Sequence, residues 1–446
     1  MDQTLQDLIY KFEDNDDFFL QRDFFADRPV YLLGLKSLID MARSRTFIHQ
    51  YLDQAISNNT ALSDGALMQM LGEVRGTNLQ DISSSVYDGK FIIYFEHVQQ
   101  YVVAEPVPNL LSRLFDTPTN ENVLQGTLSS FVEDIDHNIG IARKQFSSES
   151  LRVKSFSVGQ NQQKRIALLF AEGHVDMALV EQIIGQFETY IDHDINHIQD
   201  LSRTLGLSPW GSIAKFKTTE MPQEAAHSLK TGKVVIFVDR LPFALVLPNL
   251  LWDMFCLDND HNYSLPLMIV LRSLRIVGVL ITLIVPALYV ALVAVNPEVL
   301  RIEIALTVAQ SREGVPYPAL VEIILILLIL ELIMEASVRL PRSIGPTITM
   351  VGGIILGEAT VAAKLVSNLL IIILAATTIA NSTVVGFQNS LSIRLFKYLL
   401  LLLAAVYGVL GILAGVVIIC AYVASLNTFG VPYISITRMK ERGNHG

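Results

Sequence analysis

Hydrophobic residues are distributed very unevenly along this chain. Before about Leu271, apolar positions are interrupted by polar ones, and no stretch is apolar enough to cross a lipid bilayer. From Ile276 to Leu426, most stretches are apolar enough to cross one. Ile276–Val295 has about 20 uncharged residues, which at 1.5 Å rise per residue match the roughly 30 Å hydrocarbon core of a membrane. Because helices of soluble proteins are rarely apolar on every side, we predict a membrane span here.

The C-terminal part is predicted to be an α-helical multi-pass membrane domain, residues 271–430, followed by a tail at 431–446. One short or re-entrant segment, Ile344–Ala363, is rich in glycine and contains a carboxylate near its end. The four predicted spans are Ile276–Val295, Leu320–Met334, Leu365–Val385 and Leu395–Leu426. The last is long enough to span with tilt or to extend beyond the bilayer. Whether Ile344–Ala363 crosses or re-enters decides the side of the C-terminus, and the pattern leaves both open.

The N-terminal part has the pattern of an α/β protein with an internal repeat. Phe91–Pro106 and Val234–Pro248 each follow a Gly-Lys pair, contain two β-rich runs around a polar break, and end at proline. This pattern predicts two β-hairpins. Helical spacing precedes each hairpin, in Val30–Asn58 and Gly65–Gln80 and again in Val175–Leu205 and Pro222–Leu229.

We therefore predict two related α/β subdomains, residues 1–110 and 151–265. A helical bridge at 111–150 has a narrow apolar stripe and is expected to pack against both halves. Chance similarity between two ordinary hairpins is the alternative to an internal duplication.

Composition and charge place the N-terminal part in the cytoplasm. The chain has 446 residues, 51% of them hydrophobic, and a net charge of -10, with most of the acidic excess in its first 265 residues. An acidic surface repels phosphates and argues against a nucleic-acid partner. The sequence begins without a signal-peptide pattern, and Arg272 and Arg275 precede the first span, in agreement with the positive-inside bias. The two cysteines, Cys256 and Cys420, imply no disulfide framework.

Charged residues in the apolar segments are the main functional candidates, because an unpaired ionised group at membrane depth costs roughly 2.5–3.5 kcal/mol or more. Glu335 and Arg339 have the i,i+4 spacing of an ion pair, and Glu331 extends the same face by one turn. These residues either form an ion-paired helix end or take part directly in cation passage.

Glu358 is the stronger candidate for an ion pathway. It lies beside Gly353 and Gly357, whose small size permits close helix approach, and a ring of such carboxylates would concentrate cations. The alternative is glycine-rich packing with Glu358 paired to Lys364. Pro286, inside the first span, is a candidate hinge, although proline is also tolerated in membrane helices without motion.

No catalytic, cofactor or metal site is predicted. His193 and His197 have i,i+4 spacing on a predicted helix, but their polar neighbours favour a solvated helix face. The Gly-Lys pairs open strands and lack the rest of a P-loop, and the chain has no nucleophile-elbow motif. An enzyme is therefore not expected.

Six separated motifs resemble those of one protein family. They are Asn138–Arg143, Leu271–Arg275, Pro286–Val290, Arg312–Pro318 with Glu322, Glu331–Gly345 and Phe429–Tyr433. In this order, across Glu105–Ile434, they resemble the A subunits of spore germinant receptors, the GerA family. Departures at Thr219–Pro222, Asp239-Arg240 and Gly357–Thr360 leave two subtypes open, a nutrient-receptor subunit and an accessory sporulation paralogue related to stage V sporulation protein AF.

The resemblance implies an inner-membrane protein of a spore-forming bacterium that acts in nutrient-triggered germination. It also implies a transporter-like B subunit and a lipoprotein C subunit as partners, and assembly of several copies into an ion-conducting ring. A secondary transporter of a small solute is the alternative class. Transporters usually repeat their membrane halves, whereas the repeat here lies in the soluble part.

Overall fold

The computed structural model describes residues 3–26, 28–57, 63–75, 78–108, 129–160, 163–208, 210–340 and 345–435. The first sheet is antiparallel and five-stranded, in the order β1-β2-β4-β5-β3. Its elements are α1 (Gln3–Phe12), β1 (Phe18–Phe25), β2 (Arg28–Leu35), α2 (Met41–Ser57), α3 (Asp64–Leu71), β3 (Glu73–Arg75), α4 (Leu79–Tyr87), β4 (Phe91–Phe95) and β5 (Gln100–Ala104). The predicted helix Val30–Asn58 is wrong at its start, because residues 30–35 belong to β2. A short apolar run fits a buried strand as well as a helix.

The second sheet repeats this strand order, as β6-β7-β9-β10-β8. Its part of the chain contains α5 (Ile135–Gln145), β6 (Leu151–Val158), β7 (Lys164–Ala171), α6 (Met177–Thr189), α7 (Ile198–Thr204), β8 (Lys217–Thr219), α8 (Pro222–Lys230), β9 (Val234–Val238) and β10 (Ala244–Leu247). Both predicted hairpins are confirmed, since β4 pairs with β5 and β9 with β10. Five strands in the same order support duplication over chance. The subdomain limits stay predictions.

Helix α5 joins the two halves. It packs on the second sheet through Ile135, Ile139 and Ala142. The buried Arg143, one turn after Ile139, donates hydrogen bonds from Nε to Asp17 Oδ2 at 2.7 Å and from Nη2 to Asn15 Oδ1 at 3.0 Å. A buried charge-assisted bond of this kind fixes the relative position of the halves. Residues 111–128 of the predicted bridge lie outside the described residues.

The C-terminal part consists of helices. They are α9 (Leu265–Val290), which continues as a π-helix over Ala291–Val295, α10 (Ile302–Ser311), α11 (Ala319–Arg339), α12 (Gly345–Ala362), α13 (Asn368–Asn381) and α14 (Phe387–Ser425). Two of them, Leu265–Val295 and Phe387–Ser425, are long and apolar enough to cross a membrane by length and composition. The predicted span Leu365–Val385 is a shorter helix than expected, because Ser367 caps α13 and a turn follows Asn381.

Helix α14 reverses direction at Gly408 instead of forming the single long span predicted for Leu395–Leu426. The rings of Phe396 and Tyr422 lie 5.9 Å apart, whereas 26 positions of straight helix would separate them by about 39 Å. Gly408 has φ 60° and ψ -137°. An added Cβ there would lie 1.9 Å from Asn296 Oδ1, and the same oxygen accepts a hydrogen bond from the N–H of Val409 at 3.1 Å.

The end of the C-terminal helices that lies beside the second sheet is called the near end, and the end at which Asn296 lies is called the far end. Val385 donates its N–H to Met254 O at the near end, and the reversal places Tyr422 back at the same end. The short strands β11 (Asn427–Thr428) and β12 (Val431–Pro432) follow α14. Phe429 packs against the second sheet's core, and Leu251 donates its N–H to Tyr433 O at 2.9 Å.

Candidate functional site

Glu358 lies on α12, which packs along α11. The carboxylate is exposed, on the helix face that also exposes Val351, Ile354 and Ile355. A Cβ added at Gly353 or Gly357 would meet no atom of the described chain within 4 Å. In this chain the small residues thus lie at an open surface.

Lys364 does not neutralise Glu358 here. It follows the end of α12 in a left-handed conformation, with φ 52°. Its Nζ lies 2.8 Å from the position of a Cβ added at Gly314, so the lysine packs against the loop before α11. Within the described ranges, no ion pair joins Glu358 and Lys364.

The three charged residues grouped on α11 separate into two sites. Arg339 binds Glu335 with N···O distances of 3.0 and 2.6 Å, and these side chains are 78% and 61% exposed. Glu331 instead accepts a hydrogen bond from Arg394 Nη1 at 2.9 Å and lies 3.9 Å from Lys397 Nζ. The grouping of Glu331 with Arg339 is therefore wrong, because the cations on α14 are nearer.

The Glu331 cluster contains more positive than negative charge. The side chains of Arg394 and Lys397 are only 10% and 8% exposed, and one carboxylate faces both. The hydroxyl of Tyr398 adds a hydrogen bond to Glu331 at 3.3 Å. Spacing along the sequence does not predict this site, because its residues lie on two different helices. The only signal was the i,i+3 spacing of Arg394 and Lys397 at the start of an apolar helix.

A second buried carboxylate, Glu322, ties the helices together at the far end. Its side chain is fully buried, its Oε1 accepts the Ser367 N–H at 2.6 Å, and its Oε2 lies 3.4 Å from Arg312 Nε. The Ser367 hydroxyl in turn lies 3.1 Å from the Tyr289 hydroxyl. The loop before α11, the start of α13 and the end of α9 thus meet at one carboxylate.

The near end is tied to the sheets by Asp260. Arg275 on α9 binds both carboxylate oxygens at 2.6 and 2.8 Å and also donates to Phe255 O at 2.8 Å. Burial by itself raises the pKa of Asp260, but the hydrogen bonds from Arg275 and the Leu257 N–H, together with the charges of Arg275 and Arg272, hold the pKa below its ordinary value. Helix α9 is therefore fixed to the turn that precedes it.

A second tie joins α14 to the loop that precedes β8. The N–H and hydroxyl of Ser212 lie 3.2 and 3.0 Å from the Tyr422 hydroxyl, and Ser392 donates its hydroxyl to Ser212 O at 2.5 Å. Both arms of the α14 hairpin are thereby attached to the second sheet's half of the chain.

Pro286 and the two histidines occupy ordinary structural positions. Pro286 is buried within α9, and the backbone irregularity begins later, where Asn296 donates its N–H to Ala291 O across a π-turn. His193 and His197 are not on one helix, because α6 ends at Thr189 and His197 caps α7. Among the described residues, no group of His, Cys, Asp and Glu is arranged to hold a metal ion.

A family model describes the same chain over nearly its whole length. The Bacillus/Clostridium GerA spore germination protein model matches residues 6–443. The chain belongs to this GerA family. The spore germination proteins GerLA of Bacillus cereus and A1 of Bacillus subtilis (strain 168) are 29% and 31% identical to it, over 91% and 73% of this chain and 82% and 67% of theirs.

A solved structure is also similar to the N-terminal part of this GerA-family chain. It is the N-terminal domain of the A subunit of the Bacillus megaterium spore germinant receptor GerK3, which is 18% identical with a TM-score of 0.40. The match covers 54% of this chain and 92% of that one. The family resemblance predicted from the six motifs is confirmed by the family model.

Several of the family motifs coincide with the ties described above. Arg143 joins the two halves, Arg275 fixes α9, and Glu322 joins the far ends of three elements. The motif residues therefore hold elements in place, whereas Glu358 and its glycines face outward.

Proposed function

We propose that this GerA-family protein is a membrane subunit of a spore germinant receptor, and that several copies form a cation-conducting assembly during germination. Family membership supports the germination role. The observation that carries the conducting role is Glu358, a carboxylate on an open and otherwise apolar helix face.

Six helical segments are proposed to cross the membrane. Along α9 the chain passes from Asp260 at the near end to Asn296 at the far end. Residues 387–407 run from the near end to the far end, and residues 409–425 run back to the near end. Helix α11 runs from Glu322 at the far end, past Glu331, to Arg339 at the near end, and α12 and α13 then cross outward and back. An even number of passes leaves both sheets and the C-terminal tail on one side.

Basic residues favour the cytoplasm for that side. The near end carries Arg272, Arg275, Arg339, Arg394 and Lys397, and the far end carries Arg301, Arg312 and Lys364. The positive-inside bias then places the sheets in the cytoplasm. The choice between a crossing and a re-entrant Ile344–Ala363, left open by the pattern, becomes a crossing in this proposal.

Assembly follows from the open face of α12. A single copy in a bilayer would expose Glu358, one turn before the end of α12, to lipid. This exposure is unfavourable, although it costs less than the roughly 2.5–3.5 kcal/mol of a charge at the centre of a span. Further copies packed through Gly353 and Gly357 would remove this cost, because small residues allow helix backbones to approach closely. Carboxylates gathered around the axis of such an assembly would draw cations into it.

The partners proposed from the resemblance are a transporter-like B subunit and a lipoprotein C subunit. Their signal would reach the membrane helices through the ties at Asp260 and Ser212, which connect the second sheet's half of the chain to α9 and α14. An accessory paralogue without its own nutrient response would have the same ties but would act beside another receptor.

Spores carrying Glu358→Gln test the proposal. Glutamine keeps the size of the side chain and removes its charge, so we expect slower cation release during germination at matched protein levels, and slower still with Glu358→Lys. Glu335→Gln is the matched control, because Glu335 is exposed on the adjacent helix and pairs locally. Ion release at the normal rate from Glu358→Gln spores would remove Glu358 from the pathway.

A further inference from the structure

Trp210 is an exposed aromatic residue that the proposed function leaves unexplained. It lies in the loop between α7 and β8, and 93% of its surface is exposed. Trp is normally among the most buried residues on average, since its ring has a large apolar area. In the part of the chain that the structure describes, no hydrogen bond engages its indole nitrogen.

The loop is held firmly rather than extended into solvent. Ile213 is 4% exposed, and Asn249 Nδ2 donates a hydrogen bond to Ala214 O at 2.8 Å. Ser212 is fixed from both arms of α14, by the Tyr422 and Ser392 hydroxyls. Trp210, two residues before Ser212, is therefore presented by an anchored backbone.

These contacts place the loop beside the helices, not below their ends. Ser392 lies five residues after the first residue of α14, which corresponds to about 7.5 Å of helix rise. Trp210 precedes Ser212 by two positions, a separation of at most about 7 Å. Trp210 is thus close to the level at which α14 enters the proposed bilayer.

The neighbouring surface of α14 is also apolar and uncovered. Phe387, Leu391 and Leu395 are 60%, 44% and 57% exposed, and they occupy the turns around Ser392. Lipid is the environment that the proposed membrane placement supplies to such side chains. A tryptophan beside them matches the aromatic belt of membrane proteins, in which the ring is apolar and the N–H remains hydrogen-bonded at the headgroup level.

We propose that Trp210 anchors the second sheet's half of the chain in the interface of the bilayer leaflet on the near side. This inference rests on the proposed membrane placement and adds a direct lipid contact made by the N-terminal region. Because Ser212 joins the same loop to both arms of α14, the anchor sets the height of the sheet relative to the hairpin.

Fluorescence of the full-length protein in liposomes tests the inference. The chain has two tryptophans, so Trp252→Phe leaves Trp210 as the only indole reporter. We expect blue-shifted emission that is quenched by spin-labelled phospholipid, more strongly by a label near the glycerol end of the acyl chain than by one at its tip. Iodide in the aqueous phase should quench it weakly. Trp210→Phe is the control, because it leaves Trp252 as the only tryptophan and so gives the emission of the other indole in the same liposomes.

Two results would overturn the anchor. Strong quenching by iodide with none by labelled lipid would place Trp210 in water, and shielding from both quenchers would place it against a protein surface. Alkaline extraction of the same liposomes separates this failure from that of the proposed function. A protein that stays in the pellet with an iodide-accessible Trp210 refutes the anchor alone, whereas release into the supernatant refutes membrane embedding and the anchor together.

Discussion

Neighbouring carboxylates on α11 differ greatly in what they stabilise. Glu335 and Arg339 form an exposed i,i+4 pair, of the kind worth about 0.3–0.5 kcal/mol. Glu331 joins α11 to α14 through Arg394, whose side chain is mostly buried. Since Glu331 is itself one-third exposed, its bond with Arg394 is worth less than the roughly 3–5 kcal/mol lost on breaking a fully buried pair.

We predict that Arg394→Ala lowers the stability of the protein by about 1–2 kcal/mol, while Arg339→Ala changes it by less than about 0.5 kcal/mol. The larger loss arises because Glu331 keeps only Lys397, at 3.9 Å, as a cation. Thermal unfolding of the detergent-solubilised variants measures the difference. Equal stabilities for the two variants would show that the α11–α14 pair contributes nothing.

Spacing along a sequence predicts contacts within one helix but not contacts between helices. The i,i+4 rule located Glu335 and Arg339, because their contact lies within one helix. It failed for Glu331 and for Glu322, whose partners lie on other segments, since local spacing carries no information about which helices meet. From the sequence alone, Glu331 is placed only on the Glu335–Arg339 face and Glu322 only within a family motif.

At the scale of elements, α14 depends on a single position. Gly408 adopts a left-handed φ, and an added Cβ would overlap Asn296 Oδ1, which caps the second arm at Val409. Glycine tolerates this conformation, whereas other residues are strained there. The hairpin and the return of the chain to the near end both follow from this turn.

Gly408→Ala is therefore expected to reduce the amount of correctly folded protein in membranes severalfold. Gly185→Ala is the control, because Gly185 lies within helix α6 and a Cβ there meets no atom of the described chain within 4 Å. In a helix interior, alanine is favoured over glycine by roughly 0.5–1 kcal/mol. Normal membrane levels of Gly408→Ala would contradict the reversal at this residue.

Local sequence patterns predict the two hairpins but neither β2 nor the reversal in α14. Both β-hairpins were predictable, because β-branched runs around a polar break have few other solutions. Residues 30–35 of β2 form a short apolar run without alternation, which fits a helix as well as a strand. The reversal in α14 gives no sequence signal, because one glycine among apolar residues does not predict a turn.

In the whole molecule, the second sheet and residues 427–435 lie at the near end of the helices. Leu251 pairs with Tyr433, and Phe429 packs on the second sheet's core, so the end of α14 is attached to the N-terminal region. The proposed six passes, which leave both ends on one side of the membrane, satisfy these contacts.

Epitope tags at the two ends test this topology. In sealed right-side-out membrane vesicles, protease added outside should leave both tags intact, and in inside-out vesicles it should remove both. Disruption of the vesicles with detergent is the control that makes both tags accessible. Removal of one tag alone would require an odd number of passes and would refute the proposed six.

Cation efflux from liposomes containing the purified protein tests whether copies of this chain conduct cations past Glu358. We predict efflux from wild-type liposomes, efflux several-fold slower with Glu358→Gln, and slower again with Glu358→Lys, because lysine replaces an attractive charge by a repulsive one. Glu335→Gln should match the wild type. Wild-type liposomes that retain their cations, or equal efflux from wild-type and Glu358→Gln liposomes, would contradict the account.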